Sequence, residues 1–231
     1  MFTGKFISNI IFDGEHVRAI GRSGCPTRVF AMQGDLDGSC SVYSLMMMLI
    51  FHQKMDWDDL TNSVEVKENQ LVFRIQQQFL QRLKGLCIGG HVMDEISNKL
   101  NLCLGENLSE TFTTIPDKSN YLSRRELHLK IRAQLDARKP VMLGFTREKE
   151  RGHAVVAVGY RREDWNRLRL FCLDPGHRLP FMQVWNNVID LDYLSNDNEA
   201  FTDINHYEDN KVCVGDVLII HDKPIELDCP F

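Results

Sequence analysis

Cys40 stands at a position where a thiol can act as a nucleophile. It follows a glycine-containing loop, Gly34–Ser39, and precedes an apolar run with the spacing of a helix. The N-terminus of a helix has free N–H groups and a partial positive charge, and both favour the thiolate form of a cysteine. The same N–H groups can bind the oxyanion that forms when a thiolate attacks a carbonyl. The sequence therefore predicts Cys40 as the nucleophile of an acyl-transfer reaction.

Gln33 lies seven residues before Cys40. Its side-chain amide could donate a second hydrogen bond to the same oxyanion, beside the bond from the Cys40 amide. We predict an oxyanion hole formed by Gln33 and Cys40. The alternative is a glutamine that caps the loop and takes no part in chemistry.

His153 and Asp174 stand at the open ends of two runs with the pattern of a β-hairpin, joined by a polar turn around Glu163 and Asp164. Residues paired across a regular antiparallel hairpin have numbers with a constant sum. A turn centred between residues 163 and 164 makes that sum 327 and pairs His153 with Asp174 on one face of the sheet. A slip of one residue would place them on opposite faces. A carboxylate there would fix the tautomer of the imidazole and stabilise its protonated form.

Each of these residues also has an ordinary structural explanation. A histidine after a glycine is often a strand-end residue with a satisfied hydrogen bond, and Asp-Pro-Gly is a common turn. Their joint occurrence, in the order Gln, Cys, His, Asp, is much harder to attribute to accident. We therefore predict a catalytic triad in which Cys40 is the nucleophile, His153 is its base and Asp174 orients the histidine.

The periodicity of apolar residues predicts the elements that carry this site. Helices are expected at Cys40–Gln53, Gln70–Leu83, His91–Leu100 and from the capping box at Ser123 to Arg138, whereas strands are expected at Phe6–Phe12, His16–Ile20, Arg28–Met32, Val141–Phe145, Ala154–Tyr160, Leu168–Leu173 and Val212–His221. The polar segment Ser195–Asn210 is predicted to be a surface loop. Helices followed by an antiparallel sheet indicate an α+β fold.

No linker, repeat or low-complexity tract divides the 231 residues, so we expect a single domain. Residues 1–39 would form a β-rich segment with the oxyanion loop, residues 40–138 a mainly helical part, and residues 139–231 the antiparallel sheet.

Composition narrows the classes of partner and cofactor. The net charge of −5 argues against a nucleic-acid partner, and no motif for a metal or a nucleotide is present, so we expect no cofactor. Seven cysteines without a C-x-x-C pair argue against a disulfide framework. No signal peptide and no membrane-spanning run are recognised. We expect a protein or peptide substrate, and a soluble protein that is cytoplasmic or delivered by a non-classical secretion route.

The segment from Gln33 to Cys40 resembles the oxyanion-glutamine and nucleophile region of papain-like cysteine peptidases. Lys139–Leu143, Gly152–Tyr160 and Leu173–Pro175 resemble the C-terminal half of the bacterial C39-like branch of that superfamily. The resemblance is limited to these short, separate segments between Met32 and Asp174. It implies a papain-like fold, in which a helical lobe led by the nucleophile helix packs on an antiparallel sheet across a cleft.

The same resemblance implies the roles assigned above and a cysteine peptidase as the first choice of function. Papain-like folds also host glutamine deamidases and transglutaminases, which occur among bacterial effectors and toxins. A binding module whose cysteine is incidental is the second alternative. The sequence leaves the substrate and the oligomeric state open.

Overall fold

The chain combines helices with a large antiparallel sheet, which confirms the predicted α+β class. The structure, a computed structural model, describes residues 4–32, 39–61, 71–79, 92–115, 118, 120–147, 152–164, 166–194, 198–201 and 210–222. In chain order its elements are β1 (Lys5–Phe6), β2 (Ile11–Phe12), β3 (Val17–Ile20), β4 (Pro26–Arg28), α1 (Cys40–Phe51), α2 (Trp57–Thr61), α3 (Leu71–Phe79), α4 (Met93–Leu104), β5 (Ser109–Thr113), α5 (Arg124–Asp136), β6 (Val141–Arg147), β7 (His153–Arg162), β8 (Arg167–Leu173), β9 (Asn187–Asp192), β10 (Asn198–Phe201) and β11 (Asn210–Ile220).

The large sheet closes on itself. Its strand order is β7-β6-β11-β10-β9-β8, and β8 pairs again with β7. Strand β1 adds to β7 and strand β5 adds to β11, whereas β2, β3 and β4 form a separate small sheet. Because β7 lies between β6 and β8, its residues are buried from Ala154 to Tyr160. This central strand begins at His153.

Helix α1 is apolar on every side and lies inside the molecule. All of its residues except Tyr43 are buried, as expected for a helix enclosed by other elements. It packs on strands β6 and β7, and the Ser44 hydroxyl donates a hydrogen bond of 3.0 Å to the carbonyl of Ala154. The helix ends near Gln53, which has a φ of 57°, and the Lys54 amide bonds back to the Leu49 carbonyl. The predicted helix from Cys40 is confirmed, and its position brings Cys40 close to the start of β7.

The other helices match the sequence pattern in part. The capping box at the start of α5 is confirmed, since the Ser123 hydroxyl accepts from the Glu126 amide and the Glu126 carboxylate accepts from the Ser123 amide. Helix α4 runs to Leu104, four residues beyond its predicted end, and stops at Gly105 with a φ of 74°. Within the residues described, no helix is long and apolar enough to cross a bilayer.

Several predicted strands require correction. The run Phe6–Phe12 is two strands, because β1 pairs with β7 whereas β2 pairs with β3. Strand β4 ends at Arg28, where a strand had been predicted to begin. Strands β5 and β9 were not predicted, and β10 lies in the segment Ser195–Asn210 that had been predicted as a loop. These strands carry polar residues at many positions, so the apolar alternation that marks a strand is weak in them.

Candidate active site

Cys40 is the first residue of helix α1 and is buried. Ser39 precedes it as the N-cap, and the Ser39 carbonyl accepts hydrogen bonds from the amides of Val42 and Tyr43 at 2.9 and 3.1 Å. The prediction that Cys40 starts a buried helix is therefore confirmed. The predicted oxyanion residue Gln33 lies outside the residues that the structure describes.

The His153 side chain joins the other two residues of the predicted triad. Its Nε2 atom lies 2.6 Å from Oδ1 of Asp174, and the Cys40 side chain lies close enough to the ring to raise the pKa of the imidazole. Because Asp174 occupies Nε2, Nδ1 is the ring atom left for a second partner. Phe145 on strand β6 pairs with His153, and the two rings meet edge to face with centroids 5.4 Å apart. The imidazole thus lies among the Asp174 carboxylate, the Cys40 side chain and an aromatic ring.

The hairpin that brings His153 and Asp174 together has a different register from the predicted one. The Glu163 amide bonds to the Arg167 carbonyl, so the turn is not centred between residues 163 and 164. The paired residue numbers sum to 330 between the turn and Gly159, in place of the predicted 327. His153 and Asp174 are therefore not directly opposite each other, and the predicted register is wrong.

A β-bulge at Val158 restores the correct face. Beyond it the paired numbers sum to 329, as in the pair Val156 and Leu173. Continuing that pairing by one residue places Asp174 two positions from His153 along the neighbouring strand, which is the same face of the sheet. Without the bulge the separation would be three positions and the side chains would point to opposite faces. The extra residue therefore makes the contact possible.

The carboxylate of Asp174 is fully buried, and both of its oxygens are engaged. Oδ1 accepts from the Gly176 amide at 2.8 Å as well as contacting His153, and Oδ2 accepts from Nδ2 of Asn187 at 2.7 Å. The Asn186 side chain holds the main chain, because it accepts from the Asp174 amide at 2.6 Å and donates to the Asp174 carbonyl at 2.8 Å. A buried charge is tolerated when it is paired and hydrogen-bonded in this way.

These contacts shift the ionisation of both groups toward a charged pair. Burial alone would lower the pKa of His153, but its hydrogen bonds to Asp174 and Cys40 raise the pKa to about 10. Burial alone would raise the pKa of Asp174, but the bond to His153 and the charge of that ring hold it below its usual value. A protonated imidazole beside an ionised carboxylate is the form that can stabilise a neighbouring thiolate.

Three residues of this arrangement were not singled out from the sequence. Asn186 precedes strand β9 and Asn187 begins it; this strand was itself not predicted, and nothing in the pattern marked either residue. Gly176 had been interpreted as part of an ordinary turn. A Cβ atom at Gly176 would lie 3.2 Å from both Oδ1 of Asp174 and Cε1 of His153, so the close approach of the backbone requires a small residue.

His177 lies at the edge of the site. Its Nε2 atom is 3.9 Å from Oδ2 of Asp174, and its side chain is partly exposed.

No family model matches the sequence, and no curated protein matches it. Within the part of the chain that the structure describes, no group of three or more His, Cys, Asp or Glu side chains could hold a metal ion. The chemistry of the site must therefore be argued from its own residues.

Proposed function

We propose that this protein is a cysteine hydrolase with a papain-like fold that acts on peptide or amide bonds. The observation that carries the proposal is the His153 ring, which bonds the buried carboxylate of Asp174 through Nε2 and lies close enough to the Cys40 side chain for that group to raise its pKa. A thiol at a helix start, a base and an acid in that sequence of contacts form the arrangement that activates a cysteine for acyl transfer.

The fold gives a second line of support. A buried helix carries the candidate nucleophile at its N-terminus, and the antiparallel sheet packed against it carries the base and the acid. This division between helix and sheet is the one that the papain-like resemblance implies. Fold alone does not define function, so the proposal rests on the site first.

The proposed reaction proceeds through a thioester. The Cys40 thiolate attacks the carbonyl carbon, and the amide of Cys40 together with Gln33 stabilises the oxyanion of the tetrahedral intermediate. His153 donates its proton to the leaving amine as the C–N bond breaks. A water molecule then gives its proton to His153 and attacks the thioester, which releases the acid and regenerates the thiolate. Asp174 keeps the imidazole in the required orientation throughout.

Alkylation of the native protein by iodoacetamide tests the activated cysteine without knowledge of a substrate. Cys25 and Cys213 are exposed and serve as internal references, whereas Cys103 and Cys172 are buried and burial raises their pKa values. Peptide mass spectrometry would measure the rate at each cysteine. We expect Cys40 to react fastest well below about pH 8, where an ordinary thiol is mostly protonated.

The matched control is His153→Ala, in which this selectivity is expected to disappear while Cys25 and Cys213 react as before. Labelling of Cys40 no faster than the exposed thiols would contradict the proposal and favour a binding module. Once a substrate protein is found, its products separate the reactions: cleavage gives two fragments, whereas side-chain deamidation leaves the chain intact and heavier by about one dalton.

A further inference from the structure

The segment between strands β8 and β9 forms a loop whose two ends are tied together at the candidate active site. Asn186 bonds the main chain of Asp174 with both its oxygen and its nitrogen, and the same Nδ2 donates to the His177 carbonyl at 2.8 Å. The base of this loop is formed by Asp174, whose carboxylate carries the negative charge, and by Asn187, which donates a hydrogen bond to that carboxylate. We call residues 175–185 the acid loop.

Part of the acid loop is packed against the rest of the molecule. Leu179 and Val184 contact the hydrophobic core, and the ring of Trp185 lies 5.3 Å from the ring of Phe171 on strand β8. The loop is therefore supported on both sides of its tip.

The tip of the acid loop presents two large apolar side chains to solvent. Phe181 is 83% exposed and Met182 is 69% exposed. They occupy the centre of a tight turn, closed by a hydrogen bond of 3.3 Å from the Gln183 amide to the Pro180 carbonyl. Met182 has a φ of 62°, a conformation that favours glycine or asparagine and is costly for a longer side chain.

The exposed side chains of Phe181 and Met182 and the strained backbone of Met182 do not stabilise the fold. Glycine at position 182 would remove the strain, and polar residues at both positions would remove the apolar surface from water. Sites where the backbone is held in a costly conformation cluster at positions that act on a ligand. The location of this pair, on a loop whose base is Asp174, connects it to the candidate active site.

We propose that Phe181 and Met182 bind an apolar side chain of a polypeptide substrate and so determine which peptides reach Cys40. The inference rests on the proposed hydrolase function and adds a class of substrate to it. The occupant is an extended segment of a protein, with a large apolar residue near the bond that is attacked. Apolar contact of this kind supplies binding without fixing a hydrogen-bond pattern, so it selects residue type rather than one sequence.

A positively charged residue near the tip indicates a second property of the substrate. Arg178 is exposed and forms no ion pair with any residue that the structure describes, and His177 lies beside it at the edge of the site. An acidic residue next to the apolar one would meet both groups. We therefore expect segments that combine an aromatic or aliphatic residue with an aspartate or glutamate.

Peptidyl acyloxymethyl ketones that alkylate Cys40 provide the test. One series carries Phe or Ser in turn at each position before the ketone, with Asp or Lys as its neighbour, and the rate of Cys40 alkylation is measured for each probe. The wild-type protein is expected to prefer Phe over Ser at one position, and Asp over Lys beside it. In Phe181→Ser combined with Met182→Ser the preference for Phe is expected to fall about tenfold, as for loss of one buried apolar contact.

The control variant is Leu194→Ser, which removes an equally exposed apolar side chain, 69% accessible, beyond the far end of strand β9. It is expected to leave the preference unchanged. Met182→Gly is expected to raise the midpoint of urea unfolding, because it relieves the backbone, and still to weaken the preference for Phe. This pair of readouts separates a folding defect from a loss of recognition.

Iodoacetamide separates failure of this inference from failure of the proposed function. If iodoacetamide does not label Cys40 selectively, the hydrolase proposal fails and the loop proposal fails with it. If Cys40 is activated but the peptide preference is the same in the wild type and the tip variant, only the loop proposal is overturned. A tip variant that changes the oligomeric state in light scattering, with an unchanged preference, would assign the pair to self-association and also overturn it.

Discussion

The two ends of helix α1 each lie near a histidine that is at least partly buried, and the two histidines have pKa values shifted in opposite directions. His153 contacts Cys40 at the N-terminal end, and its pKa is raised to about 10. His52 is the C-cap residue, and burial lowers its pKa to about 4. Burial acts in the same direction on both rings, so the difference must come from their partners.

The partner of His52 is a weak one. Asp222 lies 3.9 Å from Nδ1 of His52, is 68% exposed, and forms a closer ion pair of 2.9 Å with Lys139. Asp174, in contrast, is fully buried and lies 2.6 Å from His153. An exposed carboxylate shared with a lysine does not offset the cost of burying an imidazolium, whereas a buried carboxylate held by other donors does.

Substitution of Asp174 should remove the difference in direction between the pKa shifts of His153 and His52. It should also have the largest effect on the reactivity of Cys40. In Asp174→Asn the hydrogen bond to a charged acceptor is lost, so the pKa of His153 is expected to fall toward or below its usual value. Removal of the acid from a triad of this type reduces the rate on the order of a thousandfold or more. The measurement is the rate of Cys40 alkylation against pH, followed by turnover once a substrate is known.

Asp94→Asn, an exposed position in the first turn of helix α4, is the matched control and should behave as wild type. A rate within about tenfold of wild type in Asp174→Asn would mean that the acid does not orient the base.

Lowering the pH should destabilise the folded protein through His52. The unfolded chain protonates this residue below its ordinary pKa of 6.5, whereas the folded protein protonates it only near pH 4. The unfolded state therefore binds more protons between these values, and the free energy of unfolding falls as the pH is lowered through that window, by an amount on the order of 3 kcal/mol. His52→Asn should lose less stability than wild type between neutral pH and about pH 4, measured by urea unfolding.

His153 should act in the opposite direction in the same experiment. Its raised pKa gives stability that is fully present below pH 6.5 and is lost as the pH rises through about 10. His153→Ala should therefore flatten the alkaline side of the stability profile and leave the acidic loss due to His52 in place. Equal acidic losses in wild type and His52→Asn would show that His52 is not held neutral by burial.

Removal of one donor to Asp174 should have a smaller effect that sharpens the comparison. Asn187→Ala leaves Oδ2 without its bond from Nδ2, so the pKa of Asp174 should rise. The acidic limb of the Cys40 alkylation profile should then move to higher pH, and the rate on that limb should fall about tenfold, as for loss of one hydrogen bond to a charged group. Asn101→Ala removes a structural amide bonded to the Ser109 carbonyl, and should lower stability without moving the profile.

The position of Cys40 could be predicted because apolar residues continue through α1 and the glycine-containing loop ends just before it. His153 and Asp174 could be predicted as partners because each stands at the end of a strand. Their exact register could not, since it depends on the length of the turn between β7 and β8 and on the bulge at Val158. Such counts are set by packing of the whole sheet.

One signal for the bulge was present in the sequence. Gly159 interrupts an apolar strand, and glycine in a strand often marks a bulge or a close approach of backbone. In the structure a Cβ at Gly159 would lie 2.7 Å from the carbonyl oxygen of Lys5, because β1 pairs there. The approach of β1 involves residues far apart in sequence, so the glycine predicts a contact but does not identify it.

The hydrogen bonds from the Asn186 side chain to the main chain of Asp174 and His177 affect which substitutions the acid loop can accept during evolution. Because a single side chain joins the two ends of the acid loop, the path of the chain at Asp174 does not depend on the residues at the tip. Residues 180–183 can be replaced, or lengthened, while the acid keeps its place beside His153. Under the proposed hydrolase function, a lineage that kept Asp174, Asn186 and Asn187 could therefore acquire new targets through mutations in one short turn while the candidate site stays in place.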